Sequence, residues 1–137
     1  EDPECDPREW VDPDDYDRNF SEQASTQAMR MAQRMSGLKM PRRMRGAVDL
    51  YDVSDDWLPI YDCSSIEGFY MACGSSGNQF KNAPVAGKIM ADLVEYCEGG
   101  NNHDNSPMNY KLTHINYNLD TKNMSRLREI NISWVVA

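Results

Sequence analysis

One stretch decides the fold of this chain: Gly74-Ser75-Ser76-Gly77-Asn78-Gln79-Phe80-Lys81-Asn82-Ala83-Pro84-Val85-Ala86-Gly87-Lys88. An apolar run, residues 68–73, precedes it, and a segment with helical periodicity, residues 91–97, follows it. This order predicts a strand, a turn of small residues and a helix over about residues 83–98 that two glycines end. Glycine and serine let main-chain N–H groups approach a ligand, and a helix N-terminus adds its positive dipole end. The stretch is therefore a candidate ligand site, although turns of this composition are more often plain chain reversals.

Upstream, the sequence predicts two helices. Asp12-Pro13-Asp14-Asp15 combines an N-cap residue, a proline and acidic side chains, which predicts the start of a short helix. Ser21 can cap a longer helix, and Gly37 would end it. The apolar residues of this second helix fall on one face: Ala24, Ala28, Met31, Ala32 and Met35.

Short extended segments surround the central stretch. Strands are predicted at residues 45–52, 59–62 and 67–73, and one longer half-buried strand at residues 110–119. A single helical turn is predicted within residues 125–130, before the apolar run 132–137. The mixture of helices and strands predicts an α+β fold.

Composition excludes several classes of function. The chain has 137 residues, enough for one domain with its own core, and a net charge of -8. This charge argues against nucleic acid, which needs clustered Lys and Arg. The apolar runs are too short to span a bilayer. We expect a soluble intracellular protein that is not inserted in a membrane, in the cytoplasm or the mitochondrial matrix.

The four cysteines, Cys5, Cys63, Cys73 and Cys97, show no CxxC spacing and stand apart from the two histidines. We therefore predict no metal site. Cys73 and Cys97 lie in apolar patterns and are predicted to be small buried hydrophobic residues rather than a redox pair. His103 belongs to a polar segment, residues 101–107, and is predicted to lie in a solvated loop.

As a whole string, residues 74–88 closely resemble the C-terminal flavin-contacting signature of a superfamily of FAD-dependent enzymes. This superfamily contains D-amino-acid oxidase, sarcosine oxidase and dimethylglycine dehydrogenase. Arg45-Gly46 and residues 50–62 resemble its upstream strand and turn, and Ser125-Arg126-Leu127-Arg128-Glu129-Ile130-Asn131 resembles the tail of one bacterial-type branch. The resemblance covers nearly the whole chain.

The resemblance implies the C-terminal part of a two-domain flavoprotein of the D-amino-acid oxidase type. Residues 1–62 would belong to the mixed or antiparallel sheet of the substrate domain, residues 63–100 would form the strand, turn and helix that contact FAD, and residues 101–137 would be a C-terminal extension. The Gly-x-Gly-x-x-Gly fingerprint that grips the ADP half of FAD does not occur here. An N-terminal Rossmann-type half or partner subunit is therefore expected to complete the site.

The cofactor-binding residues implied by the resemblance are Gly74, Ser75, Ser76, Gly77, Asn78, Gln79, Phe80 and Lys81. Negative charge accumulates on the N1–C2=O2 edge of a reduced flavin, and the amide hydrogens of residues 77–80 would suit that edge. Lys81 matches a family lysine that helps hold the substrate carboxylate, and Tyr51 matches a tyrosine on the substrate side in some members. These two are the candidate catalytic residues. The plainer alternatives are a surface lysine and a tyrosine packed in a sheet.

Two departures from the family pattern matter. Asp49 stands where some sarcosine oxidases attach flavin through a cysteine, so FAD is expected to bind non-covalently. Asn78-Gln79 replaces the histidine of the common Gly-His-Gly form, and amide side chains cannot take up a proton at neutral pH. The substrate and the oxidant are therefore left open.

The sequence is compatible with three functions. The first is part of an FAD-dependent oxidoreductase that oxidises the C–N bond of a small amine or amino acid by hydride transfer to flavin, inactive as an isolated chain. The second is a non-catalytic accessory subunit of a larger assembly, such as a mitochondrial complex, derived from such an enzyme. The third, a free-standing nucleotide-binding module, is the weakest because no P-loop lysine follows the glycine turn.

Overall fold

The computed structural model describes residues 10–77 and 79–130, which form two helices, two 3-10 turns and four strands. The elements are α1 Glu22–Arg34, β1 Ile60–Cys63, β2 Tyr70–Cys73, α2 Ala83–Glu98, β3 Asn109–Leu112 and β4 Tyr117–Asp120, with 3-10 turns at Phe80–Asn82 and Thr121–Met124. The strands make two separate antiparallel pairs, β1–β2 and β3–β4. The predicted α+β class is confirmed. The chain divides into two compact units between Leu50 and Tyr51.

The first unit contains α1. As predicted, Ser21 caps this helix, because its Oγ accepts a hydrogen bond from the Ala24 amide at 3.1 Å. The predicted apolar face is only partly correct, since Ala32 is buried but Met31 and Met35 are 63% and 57% exposed. The helix ends at Arg34, before Gly37.

Two predictions for the first fifty residues are wrong. Residues 12–15 form a hydrogen-bonded turn rather than a helix, because the Asp12 carboxylate and carbonyl accept the amides of Asp14 and Asp15. The predicted strand at residues 45–52 is irregular chain. Here Phe20 lies so close to Gly46 that a Cβ there would be 2.3 Å from its ring.

The second unit holds a core formed by α2 and the two strand pairs. The register of β1 and β2 pairs Ile60 with Cys73 and Cys63 with Tyr70. As predicted, α2 turns one apolar face inward, with Ile89 and Leu93 fully buried, and ends at Gly99. The core cluster consists of Tyr61, Ile89, Leu93, Met108 and Tyr110.

Three predictions for this unit are corrected. The long strand predicted at residues 110–119 is a hairpin of β3 and β4, because the chain reverses at Thr113–Asn116, where Asn116 adopts φ 50°. The helical turn predicted within residues 125–130 lies earlier, at Thr121–Met124. Cys73 is exposed at the end of β2, whereas Cys97 is half-buried against the core. The predicted run 132–137 lies outside the described residues.

Among the helices that the structure describes, none is long and apolar enough to cross a bilayer.

Candidate functional site

The turn between β2 and α2 adopts a left-handed backbone at three positions. Gly74, Ser76 and Gly77 adopt φ values of 66°, 50° and 71°. Glycine reaches this region without strain, whereas a serine does so at some cost. Ser76 is nevertheless buried, and its hydroxyl donates to the Gly74 carbonyl at 3.2 Å. A hydrogen bond between two of its own residues therefore stabilises the turn.

Asp52 anchors this turn from outside. Its carboxylate accepts the Ser75 amide at 3.0 Å and the Ser75 hydroxyl, and its carbonyl accepts the Ser76 amide at 3.3 Å. Burial by itself would raise the pKa of Asp52, but the hydrogen bonds from Ser75 lower it, and the net effect is a lowered pKa. Two amides of the predicted cofactor-binding stretch thus bind the protein's own chain. The sequence pattern did not single out Asp52.

Tyr51 lies against the same turn. A Cβ on Gly77 would stand 2.6–2.8 Å from three atoms of the Tyr51 ring, so any other residue would have to displace this ring and would also be strained at the φ of 71°. The Tyr51 side chain is still 55% exposed. Two features that the sequence singled out separately, the glycine turn and Tyr51, are therefore brought into contact.

An open recess of about 330 Å³ lies beside this turn at the beginning of α2. Its walls are supplied by Tyr61, Ala72, Cys73, Ser75, Gln79, Phe80, Ala83 and Ala86. Phe80 is 97% exposed, and Lys81 is also exposed in the 3-10 turn that precedes α2. Asn78, predicted as a cofactor contact, lies outside the described residues.

The lining of the recess favours a flat apolar group over a charged one. Its walls are mostly aromatic and alanine side chains, with Ser75 and Gln79 as polar groups, which matches a flat apolar ring that has a polar edge. Its volume of about 330 Å³ is at the small end for ligand sites, which are typically ~300–1,000 Å³. Only part of a dinucleotide would fit. Asp49 is exposed and accepts a hydrogen bond from Tyr16 at 3.4 Å.

A second cluster of polar residues surrounds Asp62 on β1. Asp62 is fully buried and accepts hydrogen bonds from the Ser125 hydroxyl at 2.9 Å and the Arg126 amide at 2.7 Å. The Arg126 guanidinium lies 3.2 Å from the same carboxylate and forms a bidentate pair with Asp104 at 2.7 Å. The hydrogen bonds from Arg126 lower the pKa of Asp104. The hydrogen bonds of this cluster connect three segments that are far apart in the sequence, around Asp62, Asp104 and Arg126.

Asp56 and Arg128 form a neighbouring ion pair. Arg128 Nε donates to Asp56 Oδ2 at 2.7 Å, and the same side chain reaches the Leu58 carbonyl at 3.0 Å. The hydrogen bonds from Arg128 lower the pKa of Asp56 to about 2. In the sequence, Arg126 and Arg128 were part of a family-like tail, but no local pattern paired them with Asp56 or Asp62.

His103 corrects a further prediction, since it is 2% exposed rather than solvated. Its Nδ1 accepts the Met108 amide at 3.2 Å, and its Nε2 faces Asp62 Oδ1 at 3.7 Å without a hydrogen-bond partner. Ligand atoms of Asp62, Cys63 and Asp104 lie within 4.8 Å of one another. The Arg126 guanidinium already balances both carboxylates, so this arrangement is an internal ion pair rather than a preformed metal centre.

Comparisons with protein-family models, with curated proteins and with solved structures find no match to this chain. The described residues form a small α+β protein with an open, mostly apolar recess where a glycine turn leads into the longer helix, α2.

Proposed function

We propose that this chain is the flavin-ring-binding part of an FAD-dependent oxidoreductase of the D-amino-acid oxidase and sarcosine oxidase type. The observation that carries the proposal is the recess at the entry of α2, beside a glycine turn whose Gly77 lies against the Tyr51 ring. The resemblance of residues 74–88 to the family's flavin-contacting signature supports it. An N-terminal Rossmann-type half, in the same protein or in a partner, grips the ADP portion.

Each element near the recess has a role in this proposal. The N-terminal end of α2 and the preceding 3-10 turn would stabilise, through their positive dipole end, the negative charge that a flavin ring gains on reduction. When bound, FAD supplies the hydride acceptor. Asp52 keeps the turn in its left-handed conformation, and Tyr51 forms one edge of the approach to the ring.

The substrate in this proposal is a small amine or amino acid, whose C–N bond is oxidised to an imine that water then hydrolyses. Lys81, exposed just before α2, attracts a substrate carboxylate. A lysine at this end of a helix is electrostatically unfavourable, which is understandable if it serves an anionic ligand. The non-covalent mode of FAD binding follows from Asp49 at the position of the linking cysteine.

The proposal is tested by co-expression with a Rossmann-type N-terminal half and by the visible absorption spectrum of the purified complex. We expect a yellow complex with stoichiometric flavin. In Gly77→Val the new side chain collides with the Tyr51 ring, so we expect at least a tenfold loss of bound flavin. Gly87→Ala is the matched control, because a Cβ at Gly87 meets nothing within 4 Å. A colourless wild-type complex contradicts the proposal.

The substrate step is tested separately with Lys81→Met in the yellow complex. We expect KM for an amino-acid substrate to rise about tenfold or more while the flavin content stays at the wild-type level, because only the carboxylate contact is lost. A substrate amine without a carboxylate is the control, and its KM should not change. Equal effects on both substrates would contradict the role of Lys81.

A second candidate is a non-catalytic subunit of a larger assembly. The observation that favours it is the exposure of large apolar side chains on and after α1, which include Met31, Met35 and Leu38. A complex that assembles with its partner and yet never takes up flavin would favour this candidate.

A further inference from the structure

Cys63 and Cys97 are brought together by the packing of α2 on the β1–β2 pair. Cys63 is the last residue of β1 and pairs in register with Tyr70 of β2. The Tyr70 hydroxyl donates to Glu98 Oε1 at 2.7 Å, which places the end of the hairpin beside the C-terminal turn of α2. Cys97, the neighbour of Glu98, packs toward the core. Both thiols are half-buried, and each is among the groups that shift the pKa of the other.

We propose that Cys63 and Cys97 are a site of reversible oxidation, at which a small disulfide such as oxidised glutathione converts the two thiols into one intramolecular disulfide. The bond would join β1 to α2, the two elements that carry Tyr61 and Ala86 of the recess. Cys73 is not part of this disulfide, because it lies at the other end of the hairpin, opposite Ile60. Since it is exposed, it can only form a mixed disulfide with glutathione.

The order of the two steps follows from the surroundings of each sulfur. Burial and the nearby Asp62 carboxylate raise the pKa of Cys63 to about 11. Burial also raises the pKa of Cys97, but the hydrogen bond from Cys63 acts in the opposite direction. Cys97 therefore attacks first, as a thiolate, and releases one glutathione thiolate. Cys63 then loses its proton to solvent and attacks the sulfur of Cys97 in the mixed disulfide, which releases the second glutathione.

The overall reaction is balanced. Two protein thiols lose two protons and two electrons, and one molecule of oxidised glutathione becomes two of the reduced form. Because the disulfide closes a loop of about 35 residues, it restricts the unfolded chain, and we expect the thermal midpoint to rise by roughly 10 °C.

The experiment uses the full chain incubated with oxidised glutathione under native conditions. We expect Cys63 and Cys97 to lose their thiols and retain no glutathione, at a rate independent of protein concentration. A cysteine outside the pair, such as the exposed Cys73, can only retain one glutathione, which the intact mass shows. Peptide mapping of the wild-type protein should give one cross-linked pair that contains Cys63 and Cys97. Reduction should return all four thiols and the original midpoint.

Matched variants separate this pair from ordinary cysteine oxidation. Cys73→Ser should still form the Cys63–Cys97 cross-link and gain the same thermal shift, whereas Cys63→Ser and Cys97→Ser should gain no shift. The wild-type peptide map keeps the test valid if a variant does not fold. The proposal is overturned if the map links other cysteines, or if four thiols persist while an unfolded control is fully oxidised.

Discussion

At the scale of single residues, Asp62 shows how one buried carboxylate joins segments that are far apart in the sequence. It accepts hydrogen bonds from Ser125 and from Arg126, more than sixty positions later. Removing its carboxylate leaves these donors unpaired and takes one partner from the Arg126 guanidinium. We therefore expect Asp62→Ala to lower the free energy of unfolding by about 3 kcal/mol, as for other broken buried pairs. Urea unfolding followed by circular dichroism measures it.

The control for Asp62 is Glu95→Ala, on the exposed face of α2. Exposed substitutions of this kind change stability by within about 0.5 kcal/mol. If the two variants unfold at the same urea concentration, Asp62 does not hold these segments together.

At the scale of elements, the sequence predicted correctly those helix ends that neighbouring residues determine. Helix α1 begins after Ser21 and α2 ends at Gly99 because capping needs only neighbouring residues. The β3–β4 hairpin was mistaken for one strand, since Asn116 reverses the chain without an adjacent glycine. Burial of His103 was also missed, because it depends on a core formed by residues far along the chain.

For the candidate site too, the sequence indicated the local features and missed the long-range contacts. Its glycines and Tyr51 were recognised from the sequence, and the structure places Gly77 against the Tyr51 ring. The anchoring role of Asp52 was not predicted, because a carboxylate twenty-three positions from Ser75 has no local signature. The ion pairs of Arg126 and Arg128 escaped prediction for the same reason.

Helix α2 carries a glycine whose removal should strengthen it. Gly87 lies on the exposed face of this helix, and a Cβ there meets nothing within 4 Å. We expect Gly87→Ala to raise the free energy of unfolding by roughly 0.5–1 kcal/mol, because alanine restricts the unfolded chain more than glycine does. Urea unfolding is the measurement. Gly99→Ala is the contrasting variant, because its Cβ would lie 3.1 Å from the Glu95 carbonyl oxygen. If Gly99→Ala stabilises the protein as much as Gly87→Ala does, the free space at Gly87 is not the reason for the stabilisation.

At the scale of the whole molecule, long-range ion pairs compensate for a small apolar core. The second unit's core cluster has five buried residues, and its last described segment is attached mainly through polar groups. A protein held in this way should be sensitive to acid, because its paired carboxylates must be ionised to hold their arginines.

The Asp56–Arg128 pair gives this sensitivity a definite pH range. The pKa of Asp56 falls from its ordinary value of 3.8 to about 2, so the folded protein holds the proton less tightly than the unfolded chain. The stability that the pair contributes is therefore fully present above about pH 4 and is lost as the pH falls toward 2. We expect Arg128→Gln to be less stable than wild type by a constant amount between pH 6 and about 4.5, and the difference to shrink between pH 4 and 2. Urea unfolding at each pH measures the free energy of unfolding of both proteins. The control is Arg34→Gln, at the exposed end of α1, whose free energy of unfolding should equal that of wild type at every pH. A difference that keeps its size down to pH 2 would show that the ionised Asp56 carboxylate is not what Arg128 stabilises.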